Sequence, residues 1–83
     1  MKELKETIDL MLSEDWKDRL LAEYWQTKIR YSALHRMLVR YDAGTTTLTL
    51  TDAGQMRNQK RLMGDYLYQI EVRAEREGIN LDV

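Results

Sequence analysis

Residues 14–42 read EDWKDRLLAEYWQTKIRYSALHRMLVRYD and residues 52–77 read DAGQMRNQKRLMGDYLYQIEVRAERE, and these two runs decide the fold. In the first, Leu20, Tyr24, Thr27, Tyr31, Leu34, Leu38 and Tyr41 recur at alternating spacings of four and three. In the second, Met56, Gln59, Met63, Tyr66, Ile70 and Arg73 do the same, with Leu67 and Ala74 alongside. That spacing keeps side chains on one face of an α-helix. At about 1.5 Å per residue the first run makes a helix of about 40 Å, too long for a short partner to cover.

Between them, Thr45-Thr46-Thr47-Leu48-Thr49-Leu50 breaks the period, because β-branched residues disfavour helix and Leu48 and Leu50 alternate as in an extended segment. Gly44 is a helix stop and Thr51-Asp52 a fresh N-cap; Gly78 followed by Ile79 closes the last helix. Two long helices joined by so short a loop are antiparallel neighbours. Reversal near residue 47 sets Leu38 near Met56, Tyr31 near Met63 and Tyr24 near Ile70. Upstream, Leu4, Ile8, Met11 and Leu12 mark a short amphipathic helix, and Ser13 is the expected N-cap of the next one. The expectation is an all-α single domain over 1–83: a short N-terminal helix at 3–12, then an antiparallel helical hairpin of long helices at 14–42 and 52–77 around a loop at 45–51.

A chain of 83 residues buries only about 60% of its unfolded surface, and small folds of this kind need a staple. Cysteine is absent and His35 is the single histidine, which removes disulfides and most metal schemes. Self-association into a homo-oligomer is then the expected source of further burial. Charged residues make up 33% of the chain but sum to a net charge of -1, which counts against bulk nucleic acid as a partner. The chain is charged from Lys2 onward and has no apolar run near the roughly 20 residues that span a bilayer, so no membrane association and a cytoplasmic location are expected.

Opposite the hairpin stripe, Ala22, Trp25, Ile29 and Ala33 form a second face, and Tyr68 and Val72 likewise turn away from the pairing stripe on the last helix. A patch holding tryptophan needs a cover: either the N-terminal helix, with Leu4, Ile8 and Met11 as its lid, or a subunit or partner interface. Trp16 is read as core.

No catalytic grammar is present. His35 has only Ser32 one turn away, the carboxylates Glu71, Glu75 and Glu77 alternate with Arg73 and Arg76, and no glycine-rich phosphate loop or Glu-x-x-His pair exists. No enzyme, metal or cofactor is expected. What stands out is tyrosine and arginine density without net positive charge. Tyrosine can stack on a base and arginine can fork onto a phosphate, which suits a small anionic ligand carrying a base. The candidate ligand residues are Tyr24, Arg30, Tyr31, Arg36, Tyr66 and Arg73; the ordinary alternative is that the tyrosines simply pack. Arg73 falls on the core stripe, where a charge is costly unless paired, so it either pairs with Glu23 or Glu77 or points into a ligand pocket.

The run from Glu23 to Leu38, then Tyr41-Asp42-Ala43-Gly44-Thr45, Gln59, Met63-Gly64-Asp65-Tyr66-Leu67 and Val72-Arg73-Ala74-Glu75 resemble a family of small proteins of bacteriophages and prophages, including gut phages. The resemblance covers about residues 13–81. Members often carry a proline in the loop before the last helix, where this chain has Thr51-Asp52-Ala53. In size and hairpin character the chain is also similar to oligomeric phage anti-defence proteins that act as sponges for cyclic nucleotide immune signals. The resemblance implies a non-catalytic counter-defence protein in the cytoplasm of the bacterial host, sequestering a cyclic nucleotide. The other reading is a hairpin interaction module whose Trp25 face docks on a host or phage protein.

Overall fold

The computed structural model describes residues 3–82. All regular structure among them is helical: a single 3₁₀ turn (Leu4–Glu6) running into α1 (Thr7–Met11), then α2 (Trp16–Asp42) and α3 (Leu50–Glu77). α2 and α3 pack side by side as a hairpin, and α1 lies against α2.

Local chemistry accounts for the ends. α2 begins after Asp15, whose extended backbone lets its carboxylate accept from the Lys17 N–H at 3.0 Å. Ser13, the expected cap, instead accepts from the Asp15 N–H and donates to Asp18. α3, by contrast, begins earlier than expected, because Thr49 rather than Thr51 is the cap, accepting from the Asp52 N–H at 3.0 Å. Both helices end on left-handed glycines, Gly44 (φ 78°) and Gly78 (φ 69°). At each, the next residue's N–H returns five residues back: Thr45 to the Arg40 carbonyl, Ile79 to the Ala74 carbonyl.

The core is narrow. Tyr24, Leu67 and Ile70 form its centre, with Leu20, Trp25, Tyr31 and Leu81 packed around them. At Gly64 the helices come close: a Cβ there would stand 3.3 Å from the Tyr31 ring.

Three expectations need correction. Trp16 is not core but 38% exposed on the flank of the hairpin. The N-terminal segment does not close over α2 with its apolar residues, since Leu4, Ile8, Met11 and Leu12 are all about half exposed or more. Its buried residue is Thr7, whose hydroxyl donates to the Leu4 carbonyl at 2.6 Å and accepts from Gln26 at 2.8 Å. Finally, Ala22 and Trp25 are not an open outer face. Ala22 is wholly buried one turn before Gln26, and the Trp25 indole N–H donates to the Leu81 carbonyl at 2.7 Å under the C-terminal tail.

Candidate functional site

The hairpin has two flanks, and the candidate ligand residues divide between them. On one flank, Leu20 and Ile70 floor a groove of about 380 Å³ whose rim carries Tyr66, Gln69, Arg73, Arg76 and Glu77. Two of the six candidates, Tyr66 and Arg73, therefore share a site.

The Arg73 guanidinium lies 5.0 Å from the centroid of the Trp16 indole, face-on to a ring that α2 supplies. Cation–π contact of this kind holds a guanidinium in place without neutralising it. Arg73 forms no ion pair among the described residues, with Glu23, Glu77 or any other carboxylate. Its charge is tolerable because the residue is exposed at the flank rather than buried in the stripe. Its N–H donors remain free for an anion. Beside it, the Tyr66 hydroxyl donates to Glu23 at 3.2 Å. Burial first, and then the Glu23 charge, push the Tyr66 hydroxyl pKa upward, so the phenol is a neutral donor at physiological pH.

Further along the same flank, Arg30, Ala33, Leu34, Met37, Met56, Gln59 and Met63 line a mostly apolar groove of about 360 Å³. On the opposite flank Tyr31 faces Gly64, with Arg57, Lys60 and Arg61 around a groove of about 420 Å³. Arg57 is already paired with Asp42, and Arg61 with Asp65 and Asn58. Lys60 sits 5.7 Å over the Tyr31 ring. Tyr24 is 6% exposed and donates to Glu71 at 2.9 Å, which makes it a packing residue first. Arg36 is exposed and lines none of these grooves. Of the second-face residues, Ile29 and Val72 are half-buried, while Ala33 and Tyr68 are exposed.

The residues that sequence reasoning missed are Trp16, Arg76 and Lys60. Trp16 is the important one. Its place under Arg73 depends on how two long side chains reach across the seam, which spacing along either helix does not specify.

Among the described residues no group of carboxylate and histidine side chains is arranged to hold a metal ion, and no helix is long and apolar enough to cross a membrane. Grooves rimmed by tyrosine and arginine on a two-helix frame define the class: a small helical binding protein. Residues 14–76 match the model of the Sequestin family, most of the chain, and the protein belongs to that family. The family's name fits a binding protein that sequesters rather than one that catalyses. The match takes in all of α2, the loop, α3 as far as Arg76 and the groove residues Trp16, Tyr66 and Arg73, and leaves out α1 and the C-terminal tail. No curated protein and no solved structure matches the chain.

Proposed function

We propose that this protein sequesters a small cyclic nucleotide immune signal, without catalysis, as a phage counter-defence protein in the cytoplasm of the bacterial host. The observation that carries the reading is the shared groove: an arginine braced on the Trp16 indole, beside the half-exposed Tyr66 ring. Arg73 and Arg76 are the phosphate contacts and Tyr66 the stacking surface for a base. The groove's volume of about 380 Å³ lies at the small end of ligand pockets, which run from roughly 300 to 1,000 Å³. Membership of the Sequestin family supports binding as the activity. A sequestering protein needs no nucleophile or general base; it needs tight binding, high copy number and a homo-oligomer that adds buried area.

The test is isothermal titration of the whole chain against cyclic dinucleotides, cyclic trinucleotides and cyclic ADP-ribose isomers. Saturable heat with one of them, and recovery of that ligand chemically unchanged after the protein is denatured, is the expected result. Absence of heat with every member of the panel ends the reading.

A further inference from the structure

The N-terminal segment keeps in water the kind of side chain that a thin core most needs. Four of the ten large apolar side chains left exposed among the described residues crowd into residues 4–12: Leu4, Ile8, Met11 and Leu12, 46–78% exposed. Their spacing puts them on one face of the segment. The face turned to α2 is a different one, where Thr7 is buried and Leu10 half-buried. Polar bonds hold it there: Gln26 donates to the Thr7 hydroxyl at 2.8 Å and to the Met11 sulfur at 2.6 Å. The apolar stripe is thus presented outward by a segment that is itself pinned. A contiguous stripe of this kind marks an interaction site.

Charge narrows what can cover it. Residues 3–18 hold Glu3, Glu6, Asp9, Glu14, Asp15 and Asp18 against Lys5 and Lys17, a net charge of -4. Residues 19–82 hold ten cations and eight carboxylates, a net charge of +2, and Lys2 brings the chain to its -1. A near-neutral total therefore conceals an acidic end on a basic hairpin. Three of the six carboxylates are engaged locally: Glu3 with Lys5, Asp15 as the cap of α2, and Asp18 with the Ser13 hydroxyl. Glu6, Asp9 and Glu14 are exposed and form no ion pair among the described residues. Such a border is repelled by an anionic lipid surface and attracts cationic side chains. The match to the Sequestin family begins at residue 14, so the stripe lies outside the part of the chain that defines the family.

We infer that Leu4, Ile8, Met11 and Leu12 form a docking surface for a basic amphipathic helix of another protein. The apolar face of that helix lies along the stripe, and its Lys and Arg side chains reach Glu6, Asp9 and Glu14. None of the stripe residues lines the Arg73 groove, so the docking does not rest on the sequestration reading.

The test is titration of the whole chain with a short amphipathic helical peptide built of leucine and lysine, followed by fluorescence anisotropy. Binding should be saturable and weaken as salt is raised. The same peptide with glutamate in place of lysine should not bind. Ile8→Ser combined with Leu12→Ser removes apolar contact, and Asp9→Lys reverses a border charge, all at exposed positions. Each variant should bind the lysine peptide at least about tenfold more weakly, while Arg73→Ala binds it as wild type does. Circular dichroism confirms that the helices persist, and Asp9→Lys leaves the apolar stripe intact. No saturable binding, equal binding of the glutamate peptide, or variants that bind normally overturns the assignment. So does binding to vesicles of anionic lipid, which would make the stripe a membrane contact. A wild-type oligomer that dissociates with the two serine substitutions would show the stripe to be covered by a second copy, and overturns it too.

Discussion

Tyr24 shows what a single side chain does in so thin a core. Its ring is 6% exposed between the helices, and its hydroxyl donates to Glu71 on α3 at 2.9 Å. Burial first, and then the bond to Glu71 and its charge, push the hydroxyl up to about 12. The unfolded chain loses this proton near pH 10 while the folded chain keeps it. Stability from this group is therefore constant below about pH 10 and falls as pH rises from there to about 12. Denaturant titrations of Tyr24→Phe should show a loss of about 1–2 kcal/mol at neutral pH, from a hydrogen bond to a charged acceptor, and a shallower alkaline decline than wild type. At Arg73 the expectation is the reverse. Arg73→Ala, at an exposed position, should change stability by no more than about 0.5 kcal/mol yet weaken binding of the proposed nucleotide at least about tenfold, read by thermal melts and titration side by side. The spacing placed Arg73 on the core stripe, whereas it stands exposed at the flank against Trp16, which it reaches through space from another helix.

Among the elements, the three glycines of the last helix and its end separate cleanly by environment. Gly54 lies in α3 with nothing within 4 Å of a Cβ, so Gly54→Ala should stabilise by up to about 1 kcal/mol through helix propensity alone. Gly64 faces the Tyr31 ring, and Gly64→Val, with two further methyl groups in that gap, should cost about 1–3 kcal/mol by overpacking. Gly78 holds φ 69° at the end of α3, and Gly78→Ala should cost about 1 kcal/mol. Chemical denaturation of the three variants would give the order; a stabilised Gly64→Val would mean that the helices are not pinned at Tyr31. The helix stops could be read from sequence because only glycine enters the left-handed region without penalty. The starts were misplaced because Ser13, Asp15, Thr49 and Thr51 are all competent caps, and the backbone's turn into extended geometry chooses among them. The N-terminal segment was misjudged for a tertiary reason: a threonine–glutamine hydrogen bond buries Thr7, and the apolar residues around it stay in water.

At the scale of the molecule, a body of 43 × 25 × 18 Å built on two long helices has little interior. If self-association supplies the missing burial, folding and association are linked, and the melting temperature should rise with protein concentration. Calorimetry over a hundredfold concentration range checks this; a midpoint that does not move counts against a homo-oligomer that forms on folding.

The period of apolar residues in 14–42 and 52–77, with glycines at 44 and 78, determined an antiparallel hairpin, because helix periodicity and left-handed backbone are local properties that sequence carries directly. Which face is left open was decided only in three dimensions. The C-terminal tail folds over Trp25 and the N-terminal segment docks at Gln26, so the exposed flank passes to Trp16, Leu62 and Tyr66. These covers come from the segments flanking the two long helices, with Leu81 lying 56 residues from Trp25 and Thr7 19 from Gln26, and their contacts are set by reach and hydrogen-bond geometry that no residue spacing encodes.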